Sequence, residues 1–234
     1  MNGRERWNRT MHFQSVDYIP DEEFGYWDET PIVWKQQGMP EEAIPIMDQF
    51  FGFHRRDHVF PRFGLIPYFE YQVLEETDKH ILSINHTGVK HLTSKGPGGS
   101  IPKYYEFPVK DWDTWKAYKE RLDINHPERL WTDEAITNLK AQYDNRDFPL
   151  TIYCGSLFGW VRDWMGFEGV AIASVEEPDL VEDMIEHLTN MTLALIERPI
   201  KEIQFDSAAF WEDICFNKGP LISPRMFRQW MVPR

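Results

Sequence analysis

Residues 149–156 read PLTIYCGS and residues 203–210 read IQFDSAAF, two short apolar runs that include or end in small residues. Continuous apolar runs of this length suit strands buried in a parallel sheet. Between them lie two stretches at helical spacing, 160–174 and 178–198. The second opens on Pro178-Asp179 and sets Val181, Ile185, Leu188, Thr192 and Leu195 on one face; Pro199 is expected to end it. Beyond the second run, Ser223-Pro224 supplies an N-cap with proline at the first helical position, so one more helix is expected. Strand, helix, strand, helix implies parallel strands with right-handed crossovers, an α/β fold.

Upstream the pattern changes. Segment 59–107 alternates apolar and polar residues and is broken by Thr77-Asp78-Lys79, His86-Thr87-Gly88 and the glycine-rich KGPGGS (95–100), which is hairpin language. KGPGGS lacks the Gly-Lys-Ser/Thr ending of a phosphate loop and reads as a flexible turn. Asp111 precedes Trp112, Trp115 and Tyr118, and Thr132 precedes Ile136, Leu139 and Tyr143, each a cap before helical spacing. Residues 4–13 read as an opening helix. Pro40-Glu41-Glu42 starts another, made irregular by Pro45 on its way to Phe51. No linker or repeat divides residues 1–234, so a single domain is expected.

With 42% apolar and 15% aromatic residues, there is ample material for a packed core. A net charge of −13 would be repelled by a phosphate backbone or an anionic bilayer, so neither nucleic acid nor membrane is an expected partner. Cys154 and Cys215 are too few and too far apart for a disulfide framework, which suits a reducing cytoplasm. No apolar run approaches the roughly 20 residues that span a bilayer.

Residues 155–190 and 203–234, and above all the phrase NKGPLISPRMF (217–227), closely resemble the uroporphyrinogen decarboxylase superfamily. RERWNRTMHFQSVDYIPDEEFGYW (4–27) is similar to the start of its less characterised members. The resemblance implies a (β/α)₈ TIM-type barrel with its active site at the C-terminal ends of the strands. It places four of the eight strands here, about the first half of the barrel, with the rest expected beyond Arg234. A half barrel would leave edges and interior open, so the remainder or a second copy, as a homodimer, is expected to cover them.

Two chemistries follow from the resemblance: decarboxylation of uroporphyrinogen, and methyl transfer from a methyl-corrinoid on a partner protein to a thiol, with zinc. The decarboxylases use an arginine-rich M-R-Q-A-G-R motif; EEFGYWDETPIVWKQQG (22–38) stands in its place, with acids and no arginine. Their catalytic aspartate has no clear counterpart in GLIPYFEYQV (64–73), where Glu70 is the nearest acid. Zinc ligands of the methyltransferase branch would lie beyond Arg234. The expectation is therefore methyl transfer on a small-molecule or tetrapyrrole-related substrate, with a true decarboxylase and a non-catalytic binding barrel as alternatives.

Trp211-Glu212-Asp213 follow the run 203–210 directly, where barrel catalysts sit. Adjacent acids point in different directions, so one can face a pocket while the other caps a helix or pairs with an arginine. Glu212 and Asp213 are the candidate catalytic residues. Glu23, Trp27, Arg162, Trp211 and Asn217 are candidate substrate contacts, with Glu22 and Asp28 beside them after an expected first strand. Cys154 has no neighbouring cation to lower its pKa and reads as a buried small apolar residue. His54-Arg55-Arg56-Asp57-His58 reads as a solvated turn, and no metal set is assigned.

Overall fold

The computed structural model describes residues 1–96 and 101–234. Positions 97–100 of the expected glycine-rich turn lie outside the described residues. The fold is mixed α/β, with one set of strands in parallel order and another antiparallel. It divides into two compact units, each drawn from three chain segments: 1–60, 132–153 and 199–208 in the first; 61–131, 154–198 and 209–234 in the second.

The first unit opens with α1 (Gly3–Met11), capped by Asn2, which accepts from the Glu5 N–H at 2.8 Å. It continues through α2 (Glu29–Gln36), a 3₁₀ stretch Glu41–Ile46 and α3 (Met47–Phe51) to strand β1 (Asp57–Val59). The irregular run into Phe51 is what Pro45 requires. Here the sequence expectation needs correcting, because the first strand lies at Asp57–Val59 and no strand precedes Glu22–Asp28 among the described residues. The charged turn expected at His54–His58 runs instead into this strand.

Further along the chain come β2 (Gln72–Glu76), β3 (His80–Ile84), β4 (Lys90–Ser94), β5 (Lys103–Glu106) and α4 (Trp112–Lys119), all in the second unit. α5 (Asp133–Tyr143) and β6 (Leu150–Tyr153) return to the first. β1 and β6 pair in parallel, Val59 opposite Ile152. Leu150 and Ile152 are essentially fully buried, as is Val59, and Thr132 caps α5 through the Ala135 N–H at 3.1 Å. Beyond β6 lie α6 (Phe158–Glu176), α7 (Pro178–Glu202) and β7 (Ser207–Ala209).

Strand β7 joins the sheet in the order β1-β6-β7. Its hydrogen bonds advance in step with β6, from the Asp206 N–H to the Leu150 carbonyl and from the Trp211 N–H to the Gly155 carbonyl, so it too runs parallel. The expected buried strand over 203–210 is only three residues long and half-exposed, and three parallel strands stand where four were expected, among the described residues.

What gathers the first unit is Asp206, immediately before β7. Its carboxylate, 3% exposed, accepts from Arg4 Nε at 2.7 Å, Asn8 at 3.0 Å, Arg146 at 2.7 Å and the Leu150 N–H at 2.9 Å. Burial pushes its pKa up, but hydrogen bonds from Asn8, Arg146, Arg4 and the Leu150 amide outweigh this and bring it to about 2.

The second unit holds the antiparallel sheet β2-β3-β4-β5, a meander as the hairpin pattern required. Asp111 and Thr114 form a capping box at α4. The expected face of α7 is buried: Val181, Ile185 and Leu188 at 0%, Leu195 at 2%. Trp115 from α4 and Trp164 from α6 stack with centroids 6.2 Å apart. After β7 come a minimal hairpin, β8 (Cys215–Phe216) and β9 (Gly219–Pro220), and α8 (Pro224–Met226), begun as expected by the Ser223 cap. Cys154 is buried, and that burial pushes its thiol pKa up, in keeping with a packing role.

Pro199 does not end α7, which runs on to Glu202. Proline removes the N–H that would bond to the carbonyl four residues back, that of Leu195. The Trp131 indole N–H donates to this carbonyl at 2.7 Å, so the helix tolerates the break.

Asp206→Asn should cost about 3–5 kcal/mol in chemical denaturation, because it leaves the buried Arg146 guanidinium short of a charge partner. The Asp206 pKa is depressed, so its contribution is full above the ordinary carboxylate value of 3.8 and is lost as pH falls through about 2. An acid titration of wild-type stability should therefore show a loss over that window that the variant lacks. Trp131→Phe, which leaves the Leu195 carbonyl unpaired, should lower stability by about 1–3 kcal/mol.

Candidate functional site

Helix α6 starts three residues beyond the Gly155 turn that ends β6. Gly155 has φ of +79°, and a Cβ there would meet the Trp160 ring at 2.5 Å, so glycine is required both by the turn and by the ring packed on it. The first N–H groups of a helix lack intrahelical partners and carry its positive dipole end. Both oxygens of Glu212 bind there: one accepts from the Leu157 N–H, the other from the Gly159 N–H at 3.1 Å.

Asp213 pairs with α6 differently. Arg162 NH1 donates to the Asp213 carbonyl at 2.8 Å, and NH2 lies 3.6 Å from its carboxylate. The remaining guanidinium bonds go to Asp163 Oδ1, at 3.3 and 3.0 Å. The loop after β7 is thus latched onto α6 at two points. Of the two adjacent acids, Glu212 caps a helix and Asp213 pairs with an arginine.

Beside this latch lies a cavity of about 550 Å³. Aromatic rings from Phe63, Tyr68, Tyr104, Phe107, Trp160, Trp164 and Phe167 supply much of its wall, with Asn85, Thr87, Arg162 and Asp163 as the polar lining residues. Trp160 and Trp164, one turn apart on α6, stack with centroids 6.3 Å apart, and Phe63 lies 5.2 Å from Trp160. The helix breaks its geometry at Gly166, φ +75°, where a Cβ would meet the Phe107 ring at 2.4 Å. Beside the break the Trp164 carbonyl accepts from the Val109 N–H at 3.1 Å. Glycine here lets Phe107 close one wall.

The structure brings Arg162, Glu212 and Asp213 together, with Trp211 next in the same loop and 55% exposed. Asn217 is exposed in the turn between β8 and β9. Glu23 and Trp27 belong to the first unit: Glu23 Oε1 accepts from the Phe24 N–H at 2.8 Å, and Trp27 is 62% exposed. The aromatic walls were missed from sequence. The usable signal was Trp160 and Trp164 at helical spacing just beyond a strand end. Among the described residues no three His, Cys, Asp or Glu side chains gather as metal ligands, and no helix is long and apolar enough to cross a membrane.

No family model matches the chain, and no curated protein matches it. Among solved structures, a methyltransferase from Methanosarcina mazei aligns over 99% of this chain at 15% identity, with a TM-score of 0.48. The chain spans 64% of that protein's length.

Gly166→Ala should destabilise the protein by about 1–3 kcal/mol, from the Phe107 clash and the positive φ. Glu212→Ala should cost about 1 kcal/mol through loss of the cap and raise backbone hydrogen exchange at Leu157 and Gly159. Unchanged exchange at those amides would contradict the latch.

Proposed function

We propose that the chain carries the opening strands of a uroporphyrinogen-decarboxylase-type (β/α) barrel whose chemistry is methyl transfer involving a methyl-corrinoid or a related small molecule. The observation that carries this reading is the aromatic cavity beside the loop latched to α6. Apolar walls with few polar groups favour a small methyl-bearing molecule and exclude water that would compete for it.

The decarboxylase alternative asks for cations facing several carboxylates. Arg162 is the one cation among the described lining residues, and its bonds go to Asp163 and Asp213. A substrate rich in carboxylates would meet Asp163 there and bind less well.

In this reading Trp160 and Phe63 shape the site. Glu212 is a positioning residue that fixes the loop, in which Trp211 and Asp213 stay exposed. The zinc implied by the resemblance finds no ligand set among the described residues, so no step is routed through it. A methyl-corrinoid would arrive as substrate on a partner protein.

Incubated with methylcobalamin and a small thiol, the protein should form the methyl thioether and cob(I)alamin faster than a protein-free control. The sulfur–carbon bond forms as the cobalt–carbon bond breaks, its electron pair staying on cobalt, and the thiol proton is released to solvent. Uroporphyrinogen should remain unchanged. Coproporphyrinogen formation without thioether would overturn the reading in favour of decarboxylation, and neither reaction would favour the binding barrel.

A further inference from the structure

We propose that the exposed aromatic surface of α2 and α3, in the first unit, docks a basic amphipathic segment of a partner protein. This surface uses none of the residues that line the cavity of the second unit.

The surface is apolar and preformed. No residue of α2 or α3 is buried, although the two helices carry Trp34, Phe50 and Phe51. Trp34 packs edge-on against Tyr26 and Phe51, with centroids 5.7 and 5.1 Å away, and Phe51 against Phe50 at 5.1 Å. Phe53, 5.9 Å from Phe51, shares a hollow with Phe24, and Ile46 shares another with Tyr26. The patch is therefore continuous, yet Phe24, Ile46, Phe50 and Phe51 stay 88%, 47%, 49% and 43% exposed. The Tyr26 hydroxyl donates to Asp48 Oδ1 at 2.8 Å and Lys35 Nζ to Glu41 at 2.6 Å, which ties these segments together before any partner arrives. A contiguous apolar patch rimmed by polar groups marks a protein-binding surface.

Charge selects the partner. Residues 21–51 contain eight acids and one base, Lys35, a net −7 out of the chain's −13. Lys35 is held by Glu41. Just beyond, Arg55 is bound to Asp57 through two bonds, and Arg56 to Thr151, Ser207 and Glu22. Glu23, Asp28, Glu42 and Asp48 are exposed beside the rings in the chain. A second copy meeting this face with its own would set acid against acid, and an anionic bilayer would be repelled likewise. Lysine or arginine flanking an apolar face complements both the rings and their rim.

The test titrates the protein, by fluorescence anisotropy, into three labelled synthetic peptides of equal length. One is an amphipathic helix of leucine and lysine, the second has glutamate for lysine, and the third is a leucine–lysine scramble with no apolar face. The first should bind about tenfold tighter than either of the others. Phe24→Ser, Phe50→Ser and the pair Asp28→Lys with Glu42→Lys lie at exposed positions and should melt as wild type does. Each should weaken the first peptide by roughly threefold or more. Phe13→Ser, at a fully exposed ring outside the patch, should leave its binding unchanged. Equal binding of the glutamate peptide, or patch variants that bind as wild type does, would overturn the proposal. So would a concentration-dependent dimer in sedimentation that Phe50→Ser abolishes, which would assign the face to a second copy.

Discussion

One buried carboxylate organises the parallel strands. Asp206 sits at the head of β7 and draws hydrogen bonds from α1, from Arg146 beyond α5 and from the first amide of β6. A charge so enclosed is tolerated only when it is paired and fully hydrogen-bonded. Because it is, three separate stretches of chain are held to a single point, and β7 is set alongside β6. The other polar contacts of this sheet follow from that alignment. Thr151 and Ser207 come within 2.8 Å of each other, and Arg56 Nε reaches Thr151 at 2.9 Å.

The second unit relies on stacked rings instead. Trp115, Tyr118 and Trp164 pack together in its core, with Trp160 extending the stack along α6 to the cavity. Rings of this size bury large apolar areas, yet they need backbone room to approach one another. Gly155 and Gly166 provide it, each with positive φ and each facing an aromatic ring at a distance no Cβ could share. The loop after β7 is then held by charge, at the helix start through Glu212 and on the helix side through Arg162. A rigid base carrying a latched loop is how folds position functional groups without surrendering stability.

Local signals were legible in the sequence. The β6 run, the buried face of α7, the caps at Asp111, Thr132 and Ser223 and the antiparallel meander each depend on residues within one turn or one hairpin. What escaped depends on partners far along the chain. Nothing near Asp206 announces Arg4 and Arg146, which lie 202 and 60 residues away. Pro199 reads as a stop because Trp131, 64 residues before Leu195, is what makes the broken helix tolerable. β1 was hidden by charged flanks, Arg55, Arg56 and Asp57, that the three-residue strand accommodates at its start. At the site, the position of Trp211–Asp213 just after a strand was visible; that Glu212 caps a helix and Asp213 pairs with Arg162, with neither of them lining the cavity, was not. The aromatic cavity was not, since its walls come from 63–68, 104–107 and 160–167.

The central claim is that this cavity is where a small methyl-bearing molecule binds. Its most direct test follows the tryptophan indole N–H resonances during titration with methylcobalamin. The account predicts that Trp160 and Trp164 shift in a saturable way while Trp7 and Trp27 of the first unit stay in place. Shifts confined to Trp7 and Trp27, or no saturable shift at Trp160 and Trp164, would contradict it.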